Sequence, residues 1–473
     1  MTLGSEALKK ATSPVFVSVS GRILTQVVMA ATILVATRFV TLEEFGILAL
    51  GQAVSVILTS LLYTGLYQIV LRTKNIDEEN ATLFSTQLVL SATGTLLMIS
   101  LGLIQAGGSL LQFVFFGLAP VPVLIGTAAH FDALLFRDSR VRAAVLSTAG
   151  AEILGFVAMC IAIGSGAGVY ALVLGRLVMA ILLLIAKVSC VAKWPGFGLE
   201  AGVVRGSFAA AYPLYISNGV TMASSYGGDL LLGLFQNPTA VGAFRAASRV
   251  TATATEIIAK PVLAISWSNL ARSERENRLH ALATEWLEQA KFLTFAAWPA
   301  LIALALLAEP VVNFILDESW GAAAPLITIL SLAAGVGILD VLSPPALLCT
   351  QKASIFTRLT FARAGITITA LLLTAPHGPV AVAYGLLAAR AIITPISLSF
   401  VLSALNIAPA RFARALVPST IATVTCCLAV VALQGATDDN LQGFMMTGGL
   451  AAALWSVIFL FFVTRRVVQL PRP

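Results

Sequence analysis

The sequence has 473 residues, of which 58% are hydrophobic and 11% are charged, and its mean hydropathy is +0.94. Soluble domains carry about 45–50% apolar and about 25% charged residues, so this composition excludes soluble enzymes, nucleic-acid-binding proteins and disordered chains. In a chain solvated by lipid, the formal net charge of +7 indicates basic loops that face the cytoplasm.

Apolar runs long enough to span a membrane recur along the whole chain. A spanning helix needs about 20 predominantly apolar residues, and only helices or closed barrels satisfy their backbone in lipid. The first run follows Lys9 and Lys10 and contains Arg22, so we interpret it as an uncleaved span and not as a signal peptide. The runs predict fourteen helices, at about 14–37, 45–70, 82–104, 110–135, 143–163, 167–192, 207–233, 239–267, 288–308, 322–346, 355–375, 378–403, 413–434 and 443–464.

The distribution of Lys and Arg supports this count. When the loops, with the span ends that adjoin them, are taken alternately as inside and outside, starting inside, the inside set holds 21 of the 29 Lys and Arg residues. The outside set holds only Arg38. Cytoplasmic loops of membrane proteins carry an excess of basic residues, so the alternation predicts that both termini are cytoplasmic.

Two pairs of short segments repeat in the same order. FVTLEEFGILAL aligns with FQNPTAVGAFRA at an offset of 196 residues and places Gly46 on Gly242. GVYALVLGR aligns with VAYGLLAAR at an offset of 214 and places Arg176 on Arg390. An even number of spans per repeat gives both halves the same orientation, as in transporters whose repeats are related by an axis along the membrane normal.

The expected fold is therefore an all-α polytopic membrane protein with about 14 transmembrane helices. We expect an N-terminal six-helix lobe at 1–192 and a pseudo-symmetric C-terminal six-helix lobe at 193–403. Helices 13 and 14, with a cytoplasmic tail, follow at 404–473.

Charged residues inside the spans are the candidate functional residues. Each costs about 2.5–3.5 kcal/mol on the insertion scale, so ionisable groups in spans are functional hypotheses by default. The spans contain seven basic and five acidic residues. The basic residues are Arg22, Arg176, Arg245, Arg249, Lys260, Arg363 and Arg390, and the acidic residues are Asp132, Glu152, Asp229, Glu256 and Asp340. The surplus of positive charge makes the six arginines candidates for substrate binding in a cavity. The alternatives stay open at this point: Arg22 could snorkel to the inner headgroups, and Arg176 and Arg390 could stabilise helix packing through backbone carbonyls.

The eighth span carries the densest set of charges. Arg245, Arg249, Glu256 and Lys260 lie at spacings of 4, 7 and 4, within a stripe about 60° wide on a helix. One interpretation is internal pairing, of Glu256 with Lys260 and of Asp229 with Arg245; a coupling role for these acids is the other. Arg249 lies about 15 Å from the outer end of the span, and we expect it to face a cavity.

No metal site and no cofactor are expected. The five cysteines have no zinc spacing with the three histidines, and an odd number of cysteines is no disulfide framework.

Three segments carry a resemblance to a known family. RFVTLEEFGILAL after the first span, GLYQIVLR at Gly65–Arg72 and GDLLLGLFQNPTAVGAFRAASRV at Gly228–Val250 look like the polysaccharide transporter (Wzx-type) family. That family is part of the multidrug/oligosaccharidyl-lipid/polysaccharide exporter superfamily. The resemblance covers most of residues 14–403.

The resemblance implies two six-helix lobes, a cationic central cavity and alternating access. It implies a flippase in the bacterial inner membrane that moves undecaprenyl-diphosphate-linked oligosaccharide to the outer leaflet for surface polysaccharide, lipopolysaccharide or exopolysaccharide. The implied partners are the lipid-linked oligosaccharide, membrane lipid, and polymerase and chain-length proteins of the same pathway, with no nucleic acid. Arginine suits bidentate contact with a diphosphate.

Other functions stay open at this point. A lipid II-type flippase also has fourteen helices and a cationic cavity, whereas a small-molecule or drug exporter of the superfamily moves cations and is expected to have an acidic cavity. A polymerase or glycosyltransferase is disfavoured, because we find neither a large outer loop nor a nucleophile–base pair, and we expect no enzymatic activity.

The alternation of loop charges makes a direct prediction of topology. Asp438 and Asp439, between the last two spans, should lie outside. A cysteine placed at position 438, in a chain without its native cysteines, should react with an impermeant maleimide added to intact spheroplasts. Labelling from the cytoplasmic side alone would contradict the fourteen-helix count.

Overall fold

The computed structural model describes residues 14–73, 75–105, 107–275, 279–316, 318–434, 449–450 and 455. Across these residues the chain is helical throughout, with short turns and no strand. This confirms the predicted all-α class. The chain forms two compact units, one ending at Gly242 and the other beginning at Ala243. The predicted lobes, with boundaries at 192 and 403, stay a prediction.

The first unit contains eight helices and the start of a ninth. They are α1 (Pro14–Phe39), α2 (Leu42–Arg72), α3 (Ile76–Ile104), α4 (Leu110–Leu118), α5 (Pro120–Arg137), α6 (Val141–Gly164), α7 (Val169–Cys190), α8 (Ala201–Phe235) and α9 (Pro238–Arg275). A capping box fixes the beginning of α2, where the Thr41 hydroxyl accepts from the Glu44 N–H and the Glu44 carboxylate accepts from the Thr41 N–H.

The second unit contains most of α9 and the helices that follow it. They are α10 (Leu279–Leu306), α11 (Ala308–Val311), α12 (Ala324–Gly337), α13 (Ser343–Cys349), α14 (Ala353–Thr374), α15 (Pro379–Ala404) and α16 (Pro409–Gln434). A 3₁₀ turn, Ile338–Leu342, joins α12 to α13 within one span. Trp286 of α10 is fully buried, and its indole N–H donates to the Leu342 carbonyl at 3.2 Å.

Ten helices of the described chain are long and apolar enough to cross a membrane. They are Leu42–Arg72, Ile76–Ile104, Leu110–Arg137, Val141–Gly164, Val169–Cys190, Leu282–Leu306, Glu318–Cys349, Ala353–His377, Pro379–Ala404 and Pro409–Leu433. They coincide with ten of the predicted spans. The chain is therefore a multi-pass membrane protein.

The other four predicted spans differ for identifiable reasons. The first appears as a shorter apolar helix, Leu24–Phe39, within α1. α8 and α9, which are 35 and 38 residues long, are not among these ten helices; α9 is more polar because of its charged stripe. Most of the fourteenth predicted span, and both Asp438 and Asp439, lie outside the described residues.

A reciprocal glycine contact joins the first turns of α2 and α9. A Cβ added at Gly46 would stand 1.8 Å from the Pro238 carbonyl oxygen, and one added at Gly242 would stand 2.0 Å from the Leu42 carbonyl oxygen. Pro238 and Gly242 follow Leu42 and Gly46 at the repeat offset of 196 residues. Such exchange of equivalent partners is what a local two-fold axis produces.

The turns after α5 and α13 share a backbone conformation. Ser139, after α5, and Gln351, after α13, both have a positive φ of 58°. In both turns the residue after the positive-φ position donates its N–H five residues back, from Arg140 to Leu135 and from Lys352 to Leu347. The global superposition of the repeats stays a prediction.

The glycine contact predicts a sharp cost for one methyl group. Gly46→Ala should lower the free energy of unfolding by about 1–3 kcal/mol, because the new Cβ meets backbone that cannot rotate away. Gly150→Ala is the control: a Cβ there meets nothing within 4 Å, and alanine favours the helix by up to about 1 kcal/mol. Thermal unfolding of both variants in detergent measures the difference, and equal stability would contradict the close contact.

Candidate functional site

The charged stripe of α9 lies in the second unit. Arg245 is buried and Arg249 is half-buried. Glu256 and Lys260 form an ion pair of 2.5 Å, with 39% and 42% of their side chains exposed. The i, i+4 pairing considered from the sequence is therefore present, and this pair neutralises the inner half of the stripe.

Three further candidates, Asp229, Arg176 and Arg22, fall on three helices of the first unit. Asp229 is buried in α8, and Arg176 is half-buried in α7. Arg22 falls in α1, but its side chain lies outside the described part of the structure. Its place among the cavity-lining residues stays a prediction.

An acidic residue that joins two helices organises the charges of the second unit. Asp340 lies on the 3₁₀ turn between α12 and α13, and its side chain is 2% exposed. One carboxylate oxygen is ion-paired with Arg363 of α14, and the other accepts from the Ser343 hydroxyl at 3.1 Å. Buried charges need such pairing, since an isolated one costs several kcal/mol.

Arg390 of α15 joins the same cluster. Its guanidinium interacts electrostatically with Asp340 and with Arg363. The stem of its side chain crosses Gly337, where an added Cβ would come within 3.1 Å of the Arg390 Cδ. The glycine at the end of α12 therefore leaves the space through which Arg390 passes, and Arg390 itself is exposed.

The cluster of Asp340, Arg363 and Arg390 has a surplus of one positive charge. The Arg363 Nε is buried and, within the described residues, has no hydrogen-bond acceptor. An unsatisfied buried donor costs about 1–3 kcal/mol, and an anion placed beside the two guanidinium groups would supply the acceptor. We name this group the Asp340 cluster; its chemistry is that of a site for a phosphate or carboxylate.

A second polar site lies inside the first unit. A cavity of about 360 Å³ is bounded by α2, α5, α6 and α7. On its wall the Tyr67 hydroxyl donates to Asp132 at 3.1 Å, and the Lys187 ammonium is ion-paired with the other oxygen of Asp132. Lys187, whose side chain is 2% exposed, donates also to the Ala144 carbonyl.

The charged groups of this network are paired with one another. Both oxygens of Asp132 are bonded, and Lys187 has two acceptors on two different helices. Such an arrangement links α2, α5, α6 and α7 and leaves no surplus charge. Its chemistry is that of a structural clamp in an otherwise apolar bundle.

The sequence indicated Asp132 and Asp340 as charges within spans but did not select either as a site residue. Lys187 was counted with the inside charges, because it lies close to the inner end of its span. Its spacing of 55 residues from Asp132 gives no local signal. Only the packing of α5 against α7 reveals the pair.

The clamp predicts a strong and coupled effect on stability. Asp132→Leu or Lys187→Met alone should each lower the free energy of unfolding by about 3–5 kcal/mol, because each leaves an unpaired buried charge. The double variant should recover much of that loss. Thermal unfolding of the four proteins closes a double-mutant cycle, and additive losses would contradict the direct pairing.

The fold is similar to that of several solved membrane proteins. The lipid II flippase MurJ, in an inward closed conformation, superposes with a TM-score of 0.75 at 13% identity, over 96% of this chain and 99% of that chain. A multidrug resistance MATE family transporter of the MOP superfamily, in an inward-facing conformation, gives a TM-score of 0.60 at 13% identity, over 82% and 96% of the two chains. At this identity the likeness is one of fold.

The sequence itself identifies the family. No curated protein matches the chain. The family described as "Polysaccharide biosynthesis protein" matches residues 35–325, which is more than half of the chain. The chain therefore belongs to the polysaccharide biosynthesis protein family, which confirms the resemblance to polysaccharide transporters found in its motifs.

Proposed function

We propose that this protein is a flippase that moves undecaprenyl-diphosphate-linked oligosaccharide from the inner to the outer leaflet of the bacterial inner membrane. The product serves surface or exopolysaccharide synthesis. Both termini are cytoplasmic in this proposal, in agreement with the Lys and Arg distribution. Membership in the polysaccharide biosynthesis family supports the class of substrate.

The Asp340 cluster is the observation that carries the proposal. Asp340 already has Arg363 and Ser343 as partners, so Arg390 is not needed to neutralise it. A second arginine beside a satisfied carboxylate costs free energy in a membrane unless water or an anion compensates it. A diphosphate is such an anion, and planar guanidinium groups bind phosphate oxygens in pairs.

The remaining arginines extend this chemistry. We propose that Arg249, Arg245, Arg22 and Arg176, like Arg363 and Arg390, contact the diphosphate during transport by alternating access. The polyprenyl tail stays in lipid and the sugars need a wet, polar path. Asp229 is proposed as a coupling or ion-pair residue, while Glu256 and Lys260 compensate each other.

Other classes of activity have less support. An exporter of cationic drugs would be repelled by the surplus of arginine. The named proteins of similar fold are flippases and transporters, and we propose that this chain catalyses no covalent reaction. Polymerase and chain-length proteins of the same pathway are the proposed protein partners, and lipid II is the alternative lipid-linked substrate.

Two arginines test the proposal without breaking the buried ion pair. Arg390→Ala and Arg249→Ala should each reduce surface glycan per folded molecule about 10–100-fold, the value of one charge-assisted hydrogen bond. Arg390→Lys and Arg249→Lys should restore part of it, because lysine keeps the charge but not the planar fork. Surface glycan and membrane abundance are measured in the same cells of a host that lacks its own flippase.

A pair of glycine variants separates position from charge. Gly337→Val removes the space that the Arg390 stem occupies and should lower export although every arginine is present. Gly335→Val adds the same atoms two residues away, where an added Cβ would meet nothing within 4 Å, and should leave export unchanged. Normal glycan export per molecule in both arginine-to-alanine variants would overturn the proposal. Rescue of a host depleted of its lipid II flippase would replace it with the lipid II alternative.

A further inference from the structure

A separate basic pocket lies between α10 and α16, outside the Asp340 cluster. Its volume is about 280 Å³, and its charged walls are Glu288 and Lys291 from α10 and Arg411 and Arg414 from α16. The buried Thr294 and Ser419 hydroxyls, which lie 2.9 Å apart, also join the two helices. The pocket is therefore part of a fixed helix pair within the second unit.

The pocket has two uncompensated positive charges. Lys291 is ion-paired with Glu288 at 2.6 Å. Arg411 and Arg414 are both exposed, and among the described residues neither has an ion-pair partner. They are three residues apart, so both guanidinium groups project from neighbouring positions on one face of the first two turns of α16.

The pocket lies at the predicted boundary between headgroups and hydrocarbon. The ninth and thirteenth spans are predicted to begin at about 288 and 413, close to Glu288 and Arg414. Beyond Arg414 the adjoining side of α16 exposes mainly apolar side chains, together with the Thr425 hydroxyl, which donates to the Ile421 carbonyl. The apolar side chains recur at intervals of three and four residues: Val417, Ile421, Val424, Leu428 and Val431. A ligand held by Arg411 and Arg414 thus has its charge at the boundary and an apolar surface beside it.

One acceptor atom in the pocket has no hydrogen-bond donor among the described residues. The Glu288 Oε2 is buried and, in the described part of the chain, accepts no hydrogen bond, while its other oxygen is bonded to Lys291. A group that brought only phosphate oxygens would leave this acceptor unsatisfied. A phosphate ester that carries a hydroxyl would satisfy the arginines and Glu288 together.

We propose that this pocket binds the headgroup of an anionic phospholipid with a free hydroxyl, of the phosphatidylglycerol type. The phosphodiester lies against Arg411 and Arg414, and the headgroup hydroxyl donates to Glu288. Basic pockets between transmembrane helices on the cytoplasmic side bind anionic headgroups in this way. The lipid is a constituent of the surrounding leaflet, not the transported molecule, so the proposal does not depend on the proposed function.

The test is lipid binding by the purified full-length protein in detergent, measured by native mass spectrometry. Phosphatidylglycerol should bind at least about tenfold more tightly than phosphatidylcholine, the value of one charge-assisted hydrogen bond. The double variant Arg411→Gln/Arg414→Gln should lose this preference, and Arg411→Lys/Arg414→Lys should keep part of it. Arg205→Gln/Arg358→Gln is the control, since it removes the same charge from exposed positions near the beginnings of α8 and α14.

Each arm of the experiment has a decisive outcome. Equal phosphatidylglycerol binding by the wild type and by Arg411→Gln/Arg414→Gln overturns the site. The site is also overturned if Arg205→Gln/Arg358→Gln loses the preference for phosphatidylglycerol to the same extent. Displacement of the lipid by millimolar inorganic phosphate would show a free-phosphate site and overturn the lipid source. Binding of phosphatidylethanolamine as tight as that of phosphatidylglycerol would overturn the anionic headgroup. Because the arginines are exposed, the variants should unfold at the temperature of the wild type.

Discussion

The cost of a charge in hydrocarbon governs where polar side chains occur in this protein. A charged group at mid-membrane costs about 2.5–3.5 kcal/mol on the insertion scale unless a partner compensates it. Lys187 and Asp132 meet this requirement within the first unit by pairing with each other and with Tyr67 and Ala144. In the second unit Asp340 compensates Arg363 but leaves Arg390 beside them. The first unit therefore contains a neutral clamp, whereas the Asp340 cluster of the second unit keeps one surplus positive charge.

Close helix packing is the second consequence of a lipid solvent. Lipid is as apolar as leucine, so helices associate through small residues that let backbones approach. Gly155 of α6 and Gly175 of α7 show this, because a Cβ on either would lie 2.8–2.9 Å from the carbonyl oxygen of the other. Gly337 uses the same absence of a side chain for another purpose, since it gives the Arg390 stem a path towards Asp340. Glycines in this chain therefore set both the packing and the placement of charge.

The fold class was predictable from the sequence because hydropathy and loop charge are summed over many residues. The Glu256–Lys260 pair was predictable as well, because an i, i+4 interval on a helix is a local pattern. Pairings between distant helices were not: Asp340 and Arg363 were recognised as charges within spans, but their contact depends on how α14 packs. Lys187 was not predicted as a site residue, because a lysine near the end of a span can extend to the headgroups and was therefore counted with the loop charges.

The two predicted repeats keep an arginine at the aligned position but differ in how the nearby acids are paired. Arg176 and Arg390 are equivalent in the alignment, yet the acid of the first unit, Asp132, is fully used by Lys187 and Tyr67. In the second unit the acid is shared, and the Arg363 Nε keeps an unsatisfied donor. Stability alone would favour the closed arrangement in both repeats, because an unpaired donor and a spare guanidinium each cost free energy. In the proposed function, a diphosphate that binds in the second unit offsets this cost, and we propose that this is why the arrangement is kept there.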